Sequence, residues 1–321
     1  MSAIISQGLR FLLAFCMACV SIGDLVRAQD DSLFEKFTTN GIELNASTVI
    51  VLPRPLLDSK PLSEAKPLLQ KLSERQGWDR FSKNSVSSPI LVDLSYVLDG
   101  GKKSTGAPSN QAGGKDTPRV GHAIYSAFIA YSPLKSLKDE QLMSSLFGSS
   151  NEDKEQMGFD PVQLAPEVLK LVGITDVGPN TRYSTLRIPL MNRVVIEGTA
   201  RIDKIESNGS VLIAWQLDPH FTVAKPDQAL PELAKYINRS RKVGRDELGK
   251  VTESEPVSYV GCGGYLCVTE TGLAANQLLI ESRFVMHEPN DWFSGSNFLR
   301  SKFPTAMQES AQNFRRKLSG K

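Results

Sequence analysis

The sequence predicts an α+β protein in which an antiparallel sheet meets a long C-terminal helix, and three observations carry that prediction. Val194, Ile196, Gly198, Ala200 and Ile202 alternate with Glu197, Thr199, Arg201 and Asp203, the period of a strand with one buried face. Asn208-Gly209 follows as a type I′ turn pair. It sets Ser207 opposite Ser210, Ala200 opposite Leu217 and Ile202 opposite Trp215, so both strands bury one face. Last, Phe303, Met307, Ala311, Phe314 and Leu318 form an apolar stripe along a helix over 303–318, with Arg315, Arg316 and Lys317 at the negative end of its dipole.

The chain has 321 residues, 40% hydrophobic and 22% charged, with 37 Lys+Arg against 35 Asp+Glu. Such a composition supports a globular core and excludes a disordered or collagen-like chain. A net charge of +2 gives no concentrated basic surface, so a nucleic-acid partner is not expected. Arg10, the apolar run 11–22 and small residues at Val26 and Ala28 read as a secretory signal peptide cleaved after Ala28. The run is too short for a hydrocarbon core that needs about 20 residues, and no later segment is apolar enough to span a membrane. The expectation is a secreted or periplasmic protein, with residues 29–321 as one α+β domain.

The other elements follow in chain order. A strand covers 42–52 and stops at Pro53-Arg54-Pro55. Ser63 caps a helix through about Arg75 that carries Leu68, Leu69 and Leu72 on one face, and Pro67 inside the pattern favours a later start. Residues 90–98 form a second strand and 120–131 a third that pairs with it. Between them, 100–118 is a mobile loop of Gly, Ser, Lys, Asn and Pro. Helices are expected over 134–147, 161–172 and 231–238. A second hairpin joins 257–262 to 266–270, and a strand over 278–287 precedes the final helix.

This order resembles the helix-grip fold of the START and Bet v 1-like superfamily, chiefly through the strand 278–287, the loop 288–297 and the helix 303–318. The likeness is one of element order, without a diagnostic motif; the helix near 231 and the loop 100–118 depart from it. It implies a curved sheet wrapped around the last helix and a cavity between them for an apolar small molecule or lipid. Trp215, Ile280, Phe284, Met286, Met307 and Phe314 would line that cavity. Side chains of this kind at regular spacing also describe a plain filled core. The alternative is therefore a secreted structural or interaction module without a ligand.

Chemistry-bearing motifs are sparse. With Gly264-Tyr265 as a type II′ turn, Cys262 and Cys267 would face each other in a cross-strand disulfide. In an oxidising compartment that outweighs a redox dithiol, which lacks a Cys-x-x-Cys motif. His122, His220 and His287 have no zinc-binding spacing, so no metal is expected, and Asp218, His220, His287 and Glu288 read as exposed strand-end residues. Lys102-Lys103-Ser104-Thr105 lacks the glycine of a phosphate loop, and no Gly-x-Ser-x-Gly elbow occurs. No cofactor is implied, and the reading is of a non-enzymatic protein. An acid–base site from Asp218, His220 and His287 is the remaining enzymatic reading. Asn45, Asn208 and Asn238 are formal glycosylation sequons.

Overall fold

A computed structural model describes residues 32–58, 60–101, 103–104, 119–138, 161–191, 193–207, 209–224, 230–289, 292 and 298–318. The expected signal peptide, most of the loop 100–118 and the greater part of the helix 134–147 lie outside these residues. Within them the chain runs α1 (Leu33–Thr39), a hairpin of β1 (Ile42–Asn45) and β2 (Thr48–Ile50), then α2 (Leu62–Leu72) and α3 (Trp78–Phe81). Next come β3 (Leu91–Leu98), β4 (Lys103–Ser104), β5 (Arg119–Tyr131) and α4 (Pro166–Leu171). The strands β6 (Thr181–Leu190), β7 (Val194–Ser207), β8 (Ser210–Leu217), β9 (Arg239–Arg245), β10 (Val251–Glu253) and β11 (Val257–Ser258) follow. β12 (Cys262–Glu270), β13 (Gln277–His287) and α5 (Phe298–Leu318) complete the chain.

One antiparallel sheet holds β3 to β13 in the order β10-β9-β7-β8-β12-β13-β5-β3-β4, with β6 on β7 and β11 on β9. Its inner face carries Ile124, Phe128, Ile196, Ala200, Ile202, Ile213, Trp215, Ile280 and Phe284 into one cluster with Phe303, Met307, Ala311 and Phe314 of α5. A large antiparallel sheet closed by its C-terminal helix is the helix-grip α+β arrangement expected from the order of elements. The predicted hairpin register holds residue for residue, with Ser207 opposite Ser210, Ile202 opposite Trp215 and Ala200 opposite Leu217. β3 pairs with β5 as expected.

The outer face is covered as well. Tyr265, Cys267, Leu212, Ala214 and Val285 pack under α1 and the β1–β2 hairpin, while Ala127, Ile129 and Leu279 pack under α2 and α3. Burial on both faces removes the period-2 signal from the central strands. This explains the main misreading: residues 257–270 are not a hairpin, because β12 runs unbroken from Cys262 to Glu270 between β8 and β13.

Other expectations are corrected in the same way. Residues 42–52 fold back at Asn45–Thr48 as β1 and β2 instead of forming one strand. α2 contains Pro67 and starts at Leu62 after Pro61, so Ser63 is not its cap. Residues 134–138 form a 3-10 turn, and 231–237 form successive turns that bury Leu233, Tyr236 and Ile237 beside α4. β6, β9 and β10 had no counterpart in the sequence reading. β9 is short and largely polar, and its partner edge on β7 ends at Glu197. There Asn238 takes over, accepting from the Thr199 amide at 3.0 Å and donating to the Asp218 carbonyl at 2.7 Å. Gly198 makes room for it, since a Cβ there would come 2.2 Å from Asn238 Oδ1. Asn238 is fully buried, which removes it as a glycosylation acceptor in the folded chain.

Candidate functional site

Strand pairing arranges the inner face in rows. One row runs Leu94, Ile124, Phe284, Gly264, Trp215, Ile202, and another runs Phe128, Ile280, Val268, Val211. Between them, Ser126 and Ser282 sit opposite each other and share a 2.7 Å hydrogen bond. α5 lies over this face, with Phe314 edge-on to Phe128 at 5.7 Å and Phe303 against Phe284 at 6.0 Å. Trp215, Ile280, Phe284, Met286, Met307 and Phe314, the residues named from sequence, all belong to this one cluster. Each is at most 5% exposed, so they are packed against neighbours on every side.

The C-terminal half of α5 is tied down by polar contacts. Buried Arg315 donates to the carbonyls of Ile129 (2.9 Å), Ser88 (2.5 Å), Val86 (3.3 Å) and Pro89 (3.4 Å), and lies over the Phe128 ring. Burial pushes its pKa down to about 10. Sequence had assigned Arg315 only to the helix dipole; instead its fork of donors binds carbonyls that the chain before β3 and the end of β5 leave open. Gln308 adds contacts to Ser88 and Ile90 at 3.3 Å each.

A buried polar pair lies at the other end of the interior, where the chain leaves β13 for α5. His122 of β5 stands between Met286 of β13 and Tyr96 of β3 in the row next to Phe284. Its Nε2 contacts the carboxylate of Glu288, and both side chains are nearly solvent-free, at 2% and 1%. The Tyr96 ring lies 5.5 Å away. His122 Nδ1 is buried and has no hydrogen-bond partner. Nearby, Tyr259 stacks between His287 (6.3 Å) and Trp292 (5.2 Å), and its hydroxyl donates to the His287 carbonyl at 2.9 Å. Burial raises the Tyr259 hydroxyl pKa well above its usual value and lowers that of His287.

Of the strand-end groups expected to be exposed, Asp218 and Glu288 are buried, at 5% and 2%; His122, which no expectation placed, is 1% exposed. The available signal was its even spacing from Ile124, Phe128 and Ala130, which places it on the inner face. Glu288 had no such signal, because its position depends on where β13 ends.

The expected Cys262–Cys267 disulfide does not form; both thiols are free and buried. Five positions apart on one strand, they point to opposite faces, Cys262 among the inner cluster and Cys267 beneath the β1–β2 hairpin. Burial pushes both thiols up to about 12.

Asp218 and His220 do meet. Asp218 Oδ1 accepts from the His220 amide at 2.8 Å and lies 2.7 Å from Nδ1. They border a pocket of about 140 Å³ with Ser32, Leu33, Lys36, Arg201, Gln216 and Pro219, beside α1. His287 lies on β13, separated from β8 by β12, so the three do not combine into an acid–base site. Among the described residues, no group of three or more His, Cys, Asp and Glu could hold a metal ion, and no helix is long and apolar enough to cross a membrane.

No family model matches the chain, and no curated protein matches it. Among solved structures it is similar to human StAR-related lipid transfer protein 5, at 12% identity and a TM-score of 0.35, over 81% of this chain and 99% of that one. It is also similar to the lipid transfer and protein localization domain of human StarD13 (8%, TM-score 0.33, 83% and 98% covered) and to human STARD10 (10%, TM-score 0.33, 84% and 83% covered).

Proposed function

We propose that the interior between the sheet and α5 receives an apolar or amphipathic small molecule, held among Trp215, Ile280, Phe284, Met286, Met307 and Phe314. The observation that supports this reading is His122, which sits in the row Tyr96, His122, Met286, Cys262, with Nε2 on Glu288 and Nδ1 buried without a partner. A buried polar atom without a partner costs roughly 1–3 kcal/mol, a cost that a purely structural core avoids with an apolar side chain. Since the six side chains are in close contact, a guest enters by displacing them. Gln308 and Arg315 fasten the C-terminal half of α5, so a guest would displace the N-terminal half.

Close packing of the same six residues favours a second reading, a filled core that acts through its surface. Leu248, Val251 and Val257 are exposed along β10, β11 and the turn before them. Organic extraction of the protein purified from its native source, followed by mass spectrometry, separates the two. An apolar compound recovered in near-stoichiometric amount is the expected result; its absence, together with failure to bind added apolar probes, leaves the surface-acting module.

Export belongs to the same proposal and is supported by the leader-like pattern of residues 10–28. Terminal sequencing of the protein recovered outside the cytoplasm should begin at Gln29; an intact N-terminus there would overturn this.

A further inference from the structure

The geometry points to His122 as the acceptor for a hydroxyl group on the guest, which makes the ligand an apolar molecule carrying an O–H donor. This rests on the proposed binding site and adds the chemistry of its polar end. We assign the hydrogen of the neutral imidazole to Nε2, where it donates to the Glu288 carboxylate. In that tautomer Nδ1 keeps its lone pair and can only accept. It is buried, unpartnered and on the face that α5 covers, with Met286 and Tyr96 on either side in the same row. A hydroxyl supplies the missing donor. A free carboxylate or phosphate would instead bring a second anion beside Glu288 in a region closed to water, which is unfavourable. A hydrocarbon would leave Nδ1 as it is. Glu288 thus acts as a positioning residue, selecting the tautomer that His122 presents.

The test compares n-octanol with n-octyl methyl ether, which share a chain but differ in the donor, by calorimetric titration of the whole chain. Wild type should bind the alcohol about tenfold more tightly, the range of one added hydrogen bond. His122→Phe keeps an aromatic ring beside Tyr96 and removes the acceptor, so both probes should then bind alike. Equal affinities in wild type would overturn the hydroxyl assignment and leave the apolar-guest reading standing. Failure of both probes to bind would overturn both. If His122→Phe does not fold, ¹⁵N-histidine spectra of wild type decide. With only three histidines in the chain, the His122 Nδ1 resonance should shift with the alcohol and stay with the ether. No shift would end the proposal.

Discussion

Trp215 of β8 and Phe284 of β13 face the same residue, Gly264 of β12, from opposite sides. Two large rings therefore share one row of the inner face because the strand between them carries no side chain there. A Cβ on Gly264 would come 2.1 Å from the Arg283 carbonyl oxygen and 2.5 Å from Phe284. Backbone atoms cannot yield as a flexible side chain can. Gly264→Ala should cost about 3 kcal/mol, seen as a lower urea midpoint with an unchanged slope. A loss below about 0.5 kcal/mol would show that β12 and β13 are not held at this spacing.

Arg315 is expected to be the strongest polar anchor of α5. Arg315→Ala leaves the carbonyls of Ser88 and Ile129 without their donor and should destabilise by about 3 kcal/mol. Arg315→Lys should recover less than half of that, since a single ammonium cannot span carbonyls on two separate segments. Equal stability of the lysine variant and wild type would mean that charge alone, not the fork of donors, holds the helix.

Thiol chemistry checks the strand that replaced the expected hairpin. Alkylation at pH 8, followed by peptide mapping, should leave Cys262 and Cys267 unmodified in the native protein and label both in denaturant. Burial and pKa values near 12 keep both thiols protonated and shielded. Mild oxidants should yield no Cys262–Cys267 bridge, because the side chains point to opposite faces of β12. A native 262–267 disulfide would contradict the register of β12 with both neighbours.

Glu281 gives a pH dependence with a definite sign. Its carboxyl is fully buried on the outer face, accepting from the Leu56 amide at 2.9 Å and from the Tyr125 hydroxyl at 3.2 Å. Burial raises its pKa above the usual carboxylate value, and the Leu56 hydrogen bond only partly opposes this. The folded state therefore holds the proton to higher pH than the unfolded state does. The stabilisation it contributes is complete below the ordinary carboxylate pKa and is lost as pH rises through the raised value. Glu281→Gln removes this titration, so the variant's melting temperature should gain on wild type as pH rises from about 4.5 to 7. A constant difference across that range would show that Glu281 titrates normally.

What could be read directly from the amino acids was whatever depends on neighbours in the chain: the β7–β8 register from alternation plus Asn208-Gly209, the stripe of α5, and the pairing of β3 with β5. The six interior residues were legible for the same reason, as each is an apolar side chain on one face of a strand or helix. Tertiary structure alone decided the rest. With both faces of β12 buried, no alternation marked it as a strand, and two cysteines that suited a hairpin were carried to opposite sides of the sheet. The His122–Glu288 pair joins positions 166 residues apart, and Arg315 reaches back across 227 to Ser88. Such contacts arise where strand ends and loops converge in space, and local patterns of polarity hold no record of that convergence.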